Sequence, residues 1–243
     1  MTTAPEKLDA PQLPKRFYES VTISGTDNGY VIQLDGRAVR TPSKAVLAVP
    51  NESIAAAIAA EWAGQKDVIN PASMPLTRLA NSALDGVARE PEATRAEVLR
   101  YAGTDLLCYR ADGPEKLVAL QEERWSPVIA WMQDRFQARF VLAEGIVHVT
   151  QFPETIEAVD AAIGDLDALR LAALNTITAL TGSAILAIAV LHRQLSPEEA
   201  WAAAHVDEDY QIALWGEDEE ASVRRAGRWA EMQAASLVLA ARA

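Results

Sequence analysis

The stretch KAVLAVPNESIAAAIAAEWA, Lys44 to Ala63, changes its periodicity in the middle. Lys44–Val49 is short and rich in β-branched and apolar residues, and reads as a strand that Pro50 stops. Asn51 is a side-chain cap for the helix that follows. Glu52–Ala63 is dominated by alanine, the strongest helix former, with Ile54 and Ile58 at helical spacing and Gly64 as its end. Pro50–Asn51 therefore divides a strand-forming part of the chain from a helix-forming part.

Upstream, everything from residue 17 reads as strand and turn. Phe17–Ser24 partly alternates, and Asn28-Gly29 supplies the positive φ of a tight hairpin. Tyr30–Leu34 follows, then the second turn signal Asp35-Gly36, then Arg37–Arg40, which Thr41-Pro42 breaks. Three or four strands joined this way form an antiparallel meander, too small to be stable alone. The first fifteen residues, with Pro5, Pro11 and Pro14, read as a loose arm without a signal-peptide core.

Downstream, the pattern is helical. Leu76, Leu79/Ala80, Ala83/Leu84 and Val87 form one stripe, and Pro91 opens a helix that Gly103 closes. A long helix is predicted over Glu115–Phe136, kinked or split at Pro127. Phe140–Val149 reads as extended. Pro153–Ile163, Asp165–Leu191 and Ser196–His205 read as helices, the last opened by a capping box from Ser196 to Glu199. A terminal helix is predicted over Glu217–Ala241. Strands first and helices after indicate an α+β fold: an arm (1–15), a β-rich subdomain (16–50) and a larger helical subdomain (51–243).

Composition narrows the function. Half of the 243 residues are apolar and the formal net charge is −12, so an interior is affordable and a nucleic-acid partner is disfavoured. The single cysteine, Cys108, forms no internal disulfide and reads as a small buried hydrophobe. The three histidines, His148, His192 and His205, are scattered, so no zinc site and no metal is expected. Leu171–Leu191 carries no charge over a membrane-spanning length. Its asparagine, threonines, serine and glycine favour a helix buried in a domain over insertion or peripheral membrane binding. No phosphate loop or nucleophile elbow is present, and no cofactor is expected.

The most acidic window is His205–Glu220, HVDEDYQIALWGEDEE, with seven carboxylates around Tyr210, Ile212, Leu214 and Trp215. One reading is a carboxylate cluster doing acid–base work, as in a hydrolase or lyase, which needs burial to separate the pKa values. A second is a helix start matched to its dipole. The third is a recognition surface with Trp215 as apolar anchor and the acids as a steering rim.

Four stretches, in order, resemble the F1-ATPase assembly chaperones that handle the alpha subunit. They are RFYESVTIS…GYVIQLDGRAVRTPSKAVLAVP (16–50), AAEWAGQKDVINPASMPLTRLANSALD (59–85), YAGTDLLCYRA (101–111) and DYQIALWGEDEE (209–220). The resemblance implies a β-rich N-terminal part joined to a helical part, and no catalysis or cofactor. It implies a chaperone that binds the free alpha subunit and shields the surface later met by beta. It carries the family's sensitive acidic position onto Glu219, beside Asp218, and its sensitive tryptophan onto Trp62; Trp215 is the adjoining anchor, and both tryptophans also read as packing residues, Trp62 in or at the edge of the core and Trp215 against the helices. Arg78, Asn81 and Asp85 fall at i, i+3 and i+7 on one helix face, either as an internal hydrogen-bonding set or, for Arg78, facing the partner. The family's organelle-targeting extension is missing, which fits a bacterial cytoplasmic member, and no coiled-coil seam speaks against a monomer when free.

Overall fold

The computed structural model describes residues 13–27, 29–145 and 147–241. Residues 1–12 of the expected arm and Asn28 of the expected first turn lie outside the described residues. Strands β1 (Val21–Thr26) and β2 (Gly29–Leu34) pair antiparallel, Val21 opposite Leu34 and Thr26 opposite Gly29. Two short strands, β3 (Arg37–Ala38) and β4 (Ala48–Val49), both pair antiparallel with β2. Gly29 is required where it stands: its φ is +105°, and a Cβ there would lie 2.5 Å from the Val49 carbonyl oxygen. Asp35 and Gly36 both have positive φ, the requirement of the mirror-image hairpin turn read from their sequence. The Asp35 carboxylate accepts hydrogen bonds from the Ser20 and Glu19 backbone N–H groups and from the Ser20 hydroxyl, which hold its pKa below the usual carboxylate value.

Helix α1 (Glu52–Ala63) begins as expected, with Asn51 Oδ1 accepting from Ser53 N at 2.8 Å. It lays Ile54, Ala55 and Ile58 on the sheet, against a buried cluster that includes Ile32, Leu47 and Val49. After it come α2 (Pro75–Ser82), which runs on into a π-helical turn at Ala83–Val87, and α3 (Pro91–Gly103). Helix α4 (Glu115–Phe136) passes unbroken through Pro127, so the expected split does not occur. Strands β5 (Tyr109–Arg110) and β6 (Ala143–Glu144) form a two-residue parallel pair, all that is extended in the predicted 140–149 stretch. Helix α5 is Pro153–Ile163.

The uncharged stretch is two helices, not one. Helix α6 (Ala168–Thr181) ends at Gly182, whose φ is +68°, and Ser183 caps α7 (Ala184–Leu191) immediately afterwards. A left-handed glycine followed at once by a serine cap is a helix stop and a helix start in sequence. Helix α6 packs on α3, α7 and α10 (Glu219–Ala240), and α7 is buried along Ala184–Val190. Among the described residues no helix is long and apolar enough to cross a membrane. Helix α8 (Pro197–Ala204) shows both hydrogen bonds of the predicted capping box. It is followed by α9 (Val206–Trp215), a separate helix within the acidic window. The buried side chains of sheet and helices form one cluster, from Ile32 and Leu47 through Leu174 and Ile185 to Val238. The architecture is α+β, a small antiparallel sheet followed, among the described residues, by ten α-helices.

Candidate partner-binding site

Helices α9 and α10 meet at Gly216–Asp218, and the acidic window runs along α9 and through this turn. Val206, Tyr210 and Ala213 recur at helical spacing, and this period sets the face of α9 that packs on α4 and its surroundings. The base of the hairpin is firmly seated. Asp207 accepts from Gln121 Nε2 on α4 at 2.7 Å, and Asp209 pairs with Arg225 on α10 at 2.6 Å. His205 stacks on Trp201, centroids 4.0 Å apart, and Trp201 meets Trp229 at 5.3 Å. His205 Nδ1 lies 2.7 Å from the Trp201 carbonyl oxygen, so that nitrogen carries the proton. Burial is the main cause that holds the His205 pKa below its ordinary value.

Beyond that base the chain leaves the core. Gly216, with φ +89°, turns α9 into α10, and Asp218 caps α10 by accepting from Glu220 N at 3.0 Å. Trp215 is 83% exposed, and Leu214 and Val223 are exposed near it. Trp215, Asp218, Ile212 and Ala221 line a shallow groove of about 250 Å³ between the two helices. Glu217 and Glu219 make no hydrogen bond or ion pair among the described residues, while Glu220 pairs with Arg224 at 2.7 Å. The large aromatic ring of Trp215 and the exposed Glu219 carboxylate therefore contribute little to the free fold. The acid–base reading required carboxylates enclosed in a cleft, whereas Glu217 through Glu220 are all exposed. Among the described residues no three His, Cys, Asp or Glu side chains gather as a metal set.

The tip thus brings Trp215, Asp218 and Glu219 together, with Asp218 also serving as a helix cap. Arg78 is elsewhere. It pairs with Glu231 on α10 at 2.7 Å, twelve residues past Glu219 and so about 18 Å along the helix. Trp62 lies on α1 beside the sheet, edge-on to Tyr18, whose hydroxyl donates to the Trp62 carbonyl at 2.6 Å. Asp85 does not face outward with Arg78: it accepts from Thr41 Oγ1 at 2.6 Å and Ser43 N at 2.9 Å, fastening the helical part to the sheet.

The other polar residues of the quoted stretches are anchors that sequence reasoning did not assign. Glu61 caps α2, accepting from Leu76 N, Thr77 N and Thr77 Oγ1. Gln65 is buried, donates to Ser73 and accepts from Asn70 N. Asp105 is wholly buried and accepts from Leu107 N and, at the start of α7, from Ile185 N.

The ATP12 chaperone protein family model matches residues 15–133. The mitochondrial protein atp12 of Schizosaccharomyces pombe is 27% identical over 232 residues, 90% of this chain and 79% of that protein. Among solved structures, Atu1473 of Agrobacterium tumefaciens is 48% identical with a TM-score of 0.89, over 93% of this chain and 85% of that one. Atp12 of Paracoccus denitrificans is 40% identical with a TM-score of 0.85, over 93% of this chain and 97% of that one. With motifs, fold and whole-length likeness in agreement, the chain belongs to the ATP12 chaperone family of F1-ATPase assembly factors.

Proposed function

We infer that the protein binds the free alpha subunit of F1-ATPase through the α9–α10 tip, shields its beta-facing surface, and is displaced when the head assembles. One observation carries this reading: Trp215 stands in water where α9 turns into α10, close in sequence to Glu219, an exposed carboxylate that makes no hydrogen bond or ion pair among the described residues. An exposed tryptophan supplies buried area to a partner, and unpaired charges at its rim steer the encounter and discourage wrong partners. Reversible shielding needs no bond chemistry, so the reading assigns no cofactor and no turnover. It places a monomeric chaperone in a bacterial cytoplasm, where the free buried thiol Cys108 suits a reducing environment.

Co-expression with its own alpha subunit, followed by size-exclusion chromatography, tests this. Co-elution and a larger soluble fraction of alpha are expected. Separate elution, with alpha still insoluble, would sink the assignment.

A further inference from the structure

A second surface, remote in sequence from the tip, has the opposite chemistry. Phe17, Leu34, Arg37, Val39, Arg40 and Trp62 line a groove of about 550 Å³ beside the sheet. This is within the range of pockets that take a peptide side chain or a small ligand. Phe17 is 73% exposed, so its ring is a wall without a covering layer among the described residues. The polar groups of the groove are nearly all donors. Arg37 makes no hydrogen bond or ion pair among the described residues, and Arg40 donates to the Lys44 carbonyl without an acid partner. The Trp62 indole N–H is enclosed and has no acceptor among the described residues, so its ring rather than its N–H meets the groove. Asp35 also lies on the groove, but its carboxylate is spent on Ser20 and Glu19.

In a chain of net charge −12, two arginines left without acids are not explained by the fold. An incoming carboxylate would pair with the guanidiniums. We propose that this groove docks an extended acidic protein segment carrying an aromatic or aliphatic side chain next to its carboxylates. The apolar residue lies against Phe17 and Trp62, and the acid lies between Arg37 and Arg40. The molecule then presents an acidic, tryptophan-tipped hairpin and a basic, aromatic groove, two contacts of opposite sign.

The test is fluorescence anisotropy with a labelled short peptide of glutamate and phenylalanine, against the same peptide with lysine for glutamate. The full-length chain, its R37E/R40E variant, Trp62→Phe and Glu219→Lys are each titrated. Saturable binding of the acidic peptide is expected, weakened roughly tenfold or more by R37E/R40E and by raised salt, and unchanged by Glu219→Lys. Trp62→Phe keeps an aromatic wall but shortens it, so a smaller weakening is expected. Both arginines are exposed, and circular dichroism checks that the variants fold. Equal binding of the two peptides, or no effect of R37E/R40E, would overturn the proposal. Acidic-peptide binding that appears only after Glu6→Gln and Asp9→Asn would also overturn it, by assigning the groove to the chain's own N-terminal segment.

Discussion

The carboxylate of Asp105 shows what one residue of a family motif does here. Burial raises its pKa from 3.8 to about 6, even though backbone N–H groups at the start of α7 pull the other way. The native state therefore holds this proton more tightly than the unfolded chain does. Its contribution to stability is fully present below 3.8 and is lost as pH rises through about 6. In Asp105→Asn this dependence disappears. The stability of the variant relative to the wild type should therefore improve between pH 4 and pH 7, by on the order of 2–3 kcal/mol. Urea midpoints at the two pH values read the difference, and a constant difference would show that Asp105 does not titrate in that window. The lowered pKa of His205 works oppositely: its contribution is present above 6.5 and is lost as pH falls through the folded value. At Trp215 the expectation is different again. The ring touches little of its own fold, so Trp215→Ala should change stability by less than about 0.5 kcal/mol while weakening alpha binding. A large fall in melting temperature would make Trp215 a packing residue.

At the scale of elements, the places where helices begin and end decide most of the fold. Asn51, Ser196 with Glu199, and the Asp35-Gly36 turn were legible because the side chain that forms the cap or turn is local in sequence. The break at Gly182-Ser183 was harder to see, since apolar residues continue on both sides and hide the stop. Gly182→Ala has room for its Cβ, with Leu106 3.9 Å away, and must pay only for the left-handed backbone. A loss of about 1 kcal/mol is expected in thermal or urea unfolding, and no loss would mean that the α6–α7 corner relaxes. Helix α9 was hidden by its charges: Asp207, Glu208 and Asp209 read as surface, though Val206, Tyr210 and Ala213 keep helical spacing. What no sequence window contains is the pairing of Asp209 with Arg225, which locks α9 against α10. Arg225→Ala should cost about 1 kcal/mol in global stability, since the pair is half open to water and such pairs contribute about that much at most. It should loosen the tip, seen as faster amide hydrogen exchange in residues 210–220 and weaker alpha binding. Unchanged exchange there would show that the pair does not hold the hairpin.

For the whole molecule, sheet and helical bundle share one buried cluster, and the candidate contact residues sit on its outside. The sequence stretches that resemble the family divide accordingly. Glu61, Gln65, Asp85 and Asp105 serve the fold by capping helices and tying segments together. Trp215 and Glu219 serve nothing inside the free molecule. The fold class was readable from the chain, because turn chemistry and helical period are local properties. The separation of Trp62 and Arg78 from Glu219 was not, because it follows from how α1, α2 and α10 pack. The central claim rests on the exposed tip, and charge reversal at Glu219 probes it with little risk to the fold, since the side chain has no internal partner among the described residues. The direct measurement is the affinity of purified Glu219→Lys for the alpha subunit, by calorimetry beside the wild type, with circular dichroism and melting temperature on the same samples. A folded variant with an unchanged melting temperature and alpha binding weakened roughly tenfold or more is the expected result. A folded variant that binds alpha as well as the wild type does would contradict the assignment of the tip as the alpha-binding surface.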